Sequence, residues 1–285
     1  MRTILITGVS TGIGKAIAEE VLETEEFYVV GSVRKKGDAV YLSEKFDKLF
    51  HEVIFDVTKK DEIEAGKKEV EKILSDNDSY LSCVINNAGI ALGGPVRYLD
   101  VDIFRKQFEV NFFGLIEVTK TFLPMLGAVK NSMQQGKIIN ISSISGRRAH
   151  PFVAPYTASK FAVEAFSDAL RREMLLYGVD VILIEPGPIK TAIWDKVPDL
   201  DDNEFTGTDY EHSLRKFYKM FIEMGKKGFD ADIIGNRVKE ILQDPSPKTR
   251  HVITPNRFIN FTLPGILPDR IFDKLVGKGL GLLKK

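Results

Sequence analysis

The segment Thr7-Gly8-Val9-Ser10-Thr11-Gly12-Ile13-Gly14 places the tightest limit on how this chain can fold. It follows a short apolar run at 3–7 and opens an amphipathic stretch of helical length at 13–24. Glycines let a backbone turn tightly and approach a bound group closely. A helix N-terminus adds free N–H groups and the positive end of the helix dipole. A glycine turn at a first strand–helix junction therefore reads as a phosphate cradle, with Gly8, Ser10, Thr11, Gly12, Ile13 and Gly14 as its contacts. Gly14-Lys15 does not extend it into a nucleoside-triphosphate loop. Val9 stands where the first glycine of that motif belongs, and Ala16 replaces its Ser/Thr.

Beyond this turn, short apolar runs alternate with helix-length stretches. Strands are expected at 3–7, 27–33, 51–55, 81–86, 137–142, 179–184 and 251–254, and helices at 13–24, 61–75, 101–130, 155–177 and 230–243. Several strands are apolar at consecutive positions, as parallel strands covered on both faces must be. The alternation predicts an α/β fold with a doubly wound parallel sheet. No repeat or low-complexity linker divides it, so one domain over 1–285 is expected.

Charge and cysteine usage narrow the function. Forty basic residues balance forty acidic ones, so no net field points to nucleic acid. Cys83 is the only cysteine, and the four histidines form no H-E-x-x-H pattern. An internal disulfide is excluded and no metal site is expected. No run suits a secretory or membrane-spanning segment, which makes the cytoplasm the expected location.

The end of the second strand reads Gly31-Ser32-Val33-Arg34-Lys35-Lys36. A site selective for NAD(H) usually places a carboxylate here for the ribose 2′-hydroxyl. A guanidinium suits a 2′-phosphate instead, so Arg34 favours NADP(H), with NAD(H) as the alternative. A plain solvated basic turn would read the same way.

Tyr156 and Lys160 are spaced to share one face of a helix, and Ser143 stands just past the fifth strand. A tyrosine is a poor base at neutral pH unless a neighbouring cation stabilises its phenolate, which is the role open to Lys160. The Ser143 hydroxyl is suited to hydrogen-bond a substrate oxygen as charge develops on it. Singly, each has an ordinary reading as a surface or loop residue.

Taken together, these elements closely resemble the short-chain dehydrogenase/reductase family. The match runs through the Thr7–Gly14 loop, Asp56, Asn86-Asn87-Ala88-Gly89, Asn111, Ser143, Tyr156-Thr157-Ala158-Ser159-Lys160, and Pro186-Gly187 with Thr191. It covers about residues 1–192. The resemblance implies a Rossmann-type seven-stranded parallel sheet with helices on both faces. It also implies a catalytic tetrad of Asn111, Ser143, Tyr156 and Lys160, with Asn111 holding a water in a relay to Lys160. Asp56 and Val57 would contact the adenine side, Asn87, Ala88 and Gly89 the adenosine ribose, and Tyr156 and Lys160 the nicotinamide ribose. Ile189 and Thr191 would anchor the nicotinamide carboxamide, and Pro186 and Gly187 would also line the cofactor site. The layout after Pro186 looks most like hydroxysteroid and retinol dehydrogenase-like members.

Two segments stand outside that core. An acidic stretch at 195–211 lies in an expected substrate lid, about 192–228. A C-terminal extension, about 255–285, mixes apolar and basic residues. The extension reads either as a flap packed on the core or as a peripheral membrane contact through Lys274, Lys278, Lys284 and Lys285. Phe152, Val153, Pro188 and Trp194 are candidate pocket walls, and Cys83 reads as core. The expected substrate is a small apolar alcohol or ketone that is steroid-, retinoid- or lipid-like. A reductase of small 3-oxo or aldehyde substrates and a non-catalytic NADP(H) sensor remain open. Family members commonly form homodimers or homotetramers through the helices around 101–130 and 155–177.

Overall fold

A computed structural model describes residues 1–191 and 204–284. Seven parallel strands form one sheet: β1 (Arg2–Thr7), β2 (Phe27–Val33), β3 (Phe50–Ile54), β4 (Tyr80–Asn86), β5 (Lys137–Ile141), β6 (Asp180–Pro186) and β7 (Arg250–Ile253). Their order is β3-β2-β1-β4-β5-β6-β7, so the direction of winding reverses between β1 and β4. The helices are α1 (Gly12–Leu22), α2 (Val40–Phe46), α3 (Lys60–Asp76), α4 (Val101–Phe108), α5 (Gly114–Phe122), α6 (Ala154–Met174), α7 (Glu211–Lys226), α8 (Asp232–Gln243), α9 (Leu263–Ile266) and α10 (Asp269–Leu280).

The alternation of side chains along each strand builds two separate cores. Ile4, Ile6, Val29, Cys83, Ile85, Ile139 and Ile182 face one way, against Ile17 and Val21 of α1 and Ile234 and Val238 of α8. Leu5, Val30, Val84, Ile138 and Val181 face the other way, against Ile63 and Val70 of α3, Val118 and Phe122 of α5 and Leu170 of α6. This double covering is why the strands read as continuous apolar runs. Burial pushes the Cys83 thiol far above its ordinary pKa, which suits the core role expected for it.

The helices differ from those expected at several places. The stretch 101–130 is not one helix. A π turn at Glu109–Phe113 separates α4 from α5, and a 3-10 turn at Leu123–Leu126 ends at Gly127 with φ +97. Pro124 in that turn has no N–H to extend the helical ladder. Helix α2 was not expected, because it is short and buries only Leu42. Helix α7 occupies the second half of the expected lid with its 16 residues.

Candidate active site

The site lies at the carboxyl ends of β1, β4, β5 and β6, beside the switch in strand order, where open parallel sheets bind their ligands. The β1–α1 turn is built for close approach. Gly8 and Gly12 have φ of +72 and +60, which favour glycine, and a Cβ on Gly14 would overlap the Gly8 carbonyl oxygen and the Asn87 amide. Asn87 locks this turn, its Nδ2 donating to the carbonyls of Thr7 and Gly8, both at 2.9 Å. The Thr7 hydroxyl accepts from the N–H groups of Asn87 and Ala88 at 3.0 Å. The N-terminus of α1 has no side-chain cap and no acidic residue in its first turn. Its N–H groups and positive dipole end are thus left for an anion, which fits a dinucleotide pyrophosphate. Ser10 and Ile13 are half-buried in this turn, and Thr11 is exposed at its edge.

The cradle extends in two directions. Arg34 is exposed directly after β2, without an ion pair to any described residue. The following turn folds over Glu52, which accepts from the N–H groups of Gly37 and Ala39. Asp56 bonds locally, its Oδ1 accepting from the Thr58 N–H at 2.9 Å and hydroxyl at 2.8 Å, and Val57 is buried beside Gly114. On the far side, Thr191 packs against Gly12, which joins the end of the Pro186–Thr191 segment to the glycine turn. In that segment Gly187 donates to the Ile253 carbonyl at 2.8 Å, and Ile189 is buried and bridges to Phe229.

The chemical residues converge through short links. Asn111 sits in the π turn, where the widened backbone places its amide against Ile90. Its Oδ1 accepts from the Ile90 N–H at 2.8 Å, and its Nδ2 donates to the Ile90 carbonyl at 3.0 Å and the Ser159 hydroxyl at 3.2 Å. Gly89 stands beside that Oδ1. Ser159 lies on α6 between Tyr156 and Lys160. Ser143 is buried just past β5; its hydroxyl accepts from the Ser145 N–H at 3.1 Å, donates to the Pro186 carbonyl at 3.4 Å, and is close enough to Tyr156 to lower its phenol pKa. The Lys160 ammonium is buried, donates to the Ile141 carbonyl at 2.7 Å, and lies 5.9 Å from the Tyr156 ring centroid.

Lys160 and an oxidised nicotinamide were expected to lower the Tyr156 phenol together. In the chain alone, burial raises the phenol pKa above its ordinary value, and the nearby Ser143 hydroxyl opposes that rise. The ammonium is committed to Ile141 and is itself depleted by burial, its pKa lowered to about 8 with Glu164 holding it up.

Phe152 and Val153, named as candidate pocket walls, belong to an aromatic cluster whose other members were not expected. Phe152, four residues before Tyr156, adopts φ +65, a left-handed conformation that costs a non-glycine residue about 1–3 kcal/mol. Its ring is buried among Phe205, Leu214, Phe217, Tyr218 and Leu280, with Val153, Leu99 and Tyr210 at the rim. The Phe152 ring meets Tyr210 and Phe217 edge-on at 6.0 and 5.5 Å. Leu214, Phe217, Tyr218 and Phe221 recur at helical spacing, a signal visible in the sequence but submerged by the acidic run before it. Pro188 is buried, but Trp194 and the acidic residues up to 203 lie outside the described residues.

Residues 2–201 match the short chain dehydrogenase family. The chain is 41% identical over 280 residues to an NADPH-dependent 3-dehydrocapnine reductase of Ornithobacterium rhinotracheale, covering 98% of each. It is 31% identical to the mitochondrial D-beta-hydroxybutyrate dehydrogenase of Rattus norvegicus, covering 88% of this chain and 76% of that one. A short-chain dehydrogenase from Streptomyces avermitilis shares the fold with a TM-score of 0.74 at 23% identity, covering 98% of this chain and 97% of that one. The chain belongs to the short-chain dehydrogenase family and is an oxidoreductase of hydroxyl and keto groups.

Proposed function

We propose that this protein is an NADP(H)-dependent reductase of an apolar ketone, working in reverse as a dehydrogenase of the alcohol, with Tyr156 as acid–base. The observation that carries the reading is the convergence of the four residues: Asn111 donates to Ser159, whose hydroxyl donates to the Tyr156 carbonyl, and Lys160 donates to Ile141, two residues before Ser143. The nicotinamide, when bound, exchanges the hydride. Tyr156 donates a proton to the carbonyl oxygen, Ser143 polarises that oxygen, and Lys160 with Asn111 returns the proton to Tyr156. Arg34 supports NADP(H) as cofactor, as does the NADPH dependence of the relative from Ornithobacterium rhinotracheale.

The Phe152–Phe217 cluster supports an apolar substrate and a lid that continues into α7. The hydroxybutyrate relative keeps a small 3-oxo substrate as the second reading. A cofactor sensor without turnover would have no need of Ser143, Tyr156 and Lys160 together. Self-association through α4–α5 and α6 is supported by the exposed Phe113 and Phe161. No helix among the described residues is long and apolar enough to cross a membrane. Exposed Ile271 and Leu275 beside Lys274 and Lys278 suit a peripheral contact instead.

The deciding experiment replaces Tyr156 by Phe and follows NADPH oxidation with a panel of apolar ketones. The expected result is unchanged NADPH affinity with kcat down roughly 100- to 10,000-fold. Turnover within a few-fold of wild type would remove Tyr156 from this role.

A further inference from the structure

Tyr156, Lys160, Glu164 and Asp168 recur at every fourth position along α6, so one helix face carries the chemical pair and then two carboxylates. A carboxylate on a helix usually faces water. Glu164 is instead buried, and so is Glu185 on β6. Both are held by Arg250, the first residue of β7. Its Nη1 donates to Glu164 Oε2 and, at 2.8 Å, to Glu185 Oε1, while its Nη2 donates to Asp168 Oδ1 at 2.7 Å. Arg171 also pairs with Asp168, and Arg147 lies 3.8 Å from Glu185.

Taking carboxylates out of water costs several kcal/mol each, which pairing offsets only in good geometry. A cluster of this kind calls for an explanation beyond folding. Its position supplies one. Gly146, in the turn that follows Ser143, brings that turn against α6 between the two side chains. A Cβ there would lie 3.0 Å from both Glu164 Cγ and the Ser142 hydroxyl, and 3.1 Å from the Lys160 carbonyl oxygen. Glu164 thus touches the serine turn on one side and stands one helical turn beyond Lys160 on the other.

We propose that the Glu164 carboxylate, clamped by Arg250, is the counter-charge of Lys160 and acts as a positioning residue for the reaction. The charged and titratable groups facing Lys160 are Tyr156 and Glu164 on its own helix. Those facing Glu164 are Arg250 from β7, Glu185 from β6 and Ser142 from the end of β5. Burial is the largest influence on Glu164 and, with Glu185, raises its pKa above the ordinary value; Ser142 and Arg250 oppose that rise. Arg250, the cation bonded to Glu164 among the described residues, is thus what favours its carboxylate form. The edge strand β7 becomes an electrostatic part of the site. The proposal rests on Lys160 belonging to the catalytic group, but its test does not depend on turnover.

The test is NMR of protein labelled with 13Cε-lysine and saturated with NADP+, the Lys160 signal being assigned by its absence in Lys160→Met. In Glu164→Gln the Lys160 midpoint should fall by at least half a unit, about threefold in the ionisation constant, while circular dichroism stays native. Glu164→Asp, which keeps a carboxylate one methylene further back, should give an intermediate midpoint. An unchanged midpoint in a folded Glu164→Gln protein overturns the proposal and leaves the cluster as a structural clamp. Should Glu164→Gln fail to fold, a Glu164→Asp midpoint equal to wild type overturns it equally. Failure of the functional reading would appear separately, as retained turnover in Tyr156→Phe.

Discussion

Lys160 donates to the Ile141 carbonyl at 2.7 Å, and this bond anchors the α6 helix to the end of β5 directly beneath Tyr156. The ammonium pays for that anchorage in solvation, which burial lowers to a pKa of about 8 from 10.5. Below pH 8 it is an ammonium, and above pH 8 it is increasingly neutral. Ketone reduction takes up a proton, so kcat at saturating NADPH should be flat below pH 8 and fall above it, toward tenfold per unit. Folding stability should move the opposite way. Between pH 8 and 10.5 the unfolded chain holds this proton and the folded chain does not, so stability rises with pH across that window. The whole window amounts to about 3 kcal/mol. Thermal melts of wild type and Lys160→Met between pH 7 and 10 should show wild type gaining relative to the variant. A constant difference would mean that the folded-state Lys160 pKa is close to that of the unfolded chain.

Gly14 should tolerate no side chain. A Cβ there overlaps the Gly8 carbonyl and the Asn87 amide that locks the turn, and backbone cannot retreat as a flexible side chain can. Overpacking of this kind costs roughly 1–3 kcal/mol. Gly14→Ala should therefore melt several degrees lower and lose NADPH binding measured by fluorescence titration. Tight NADPH binding by that variant would show that the turn can open without harm to the cradle.

The cradle and the chemical residues were legible because their signals are local. The glycine turn is eight consecutive residues, and Tyr156 and Lys160 are one helical turn apart. The sheet was legible because strands covered on both faces announce themselves as apolar runs. The aromatic cluster was not, since Phe152 and Phe217 come together through a left-handed backbone turn and a helix that the acidic stretch disguised. The buried charges were hidden for a different reason. Glu164 and Arg250 are 86 residues apart, and nothing in a helical glutamate marks it as buried until the β6–β7 pairing brings Arg250 across. The depressed Lys160 pKa and the raised Tyr156 pKa follow from that burial, so they too appear only in the folded chain.

Arg34 is exposed at the end of β2 and is not engaged by a carboxylate of the described chain, so its guanidinium is free to select a 2′-phosphate. Arg34→Asp removes that donor and adds a charge that repels a phosphate and accepts from a ribose hydroxyl. A lost charge-assisted hydrogen bond is worth about 1.5–3 kcal/mol, roughly 10- to 100-fold in affinity. Calorimetric titration should show NADPH weakened by that factor and NADH strengthened. Equal affinities in wild type would shift the cofactor choice away from Arg34.

The last residues of α10 bear on substrate rather than cofactor. Leu280 is buried with Leu214, Phe217 and Tyr218 of α7, in the same cluster as Phe152. Through Phe152 that cluster reaches to within four residues of Tyr156. Leu280→Ala leaves a cavity under α7 and should cost about 2–5 kcal/mol. If the cluster forms a wall of the substrate cleft, the damage will be selective. The KM for an apolar ketone should rise several-fold in the variant, while NADPH affinity and the pH dependence of kcat stay as in wild type. A variant that melts earlier yet keeps its KM would confine α10 to a structural role and move the substrate wall elsewhere. A variant that loses NADPH binding would mean that α7 supports the cofactor cradle, to which its C-terminal turn connects through the Phe229 N–H bond to the Pro188 carbonyl.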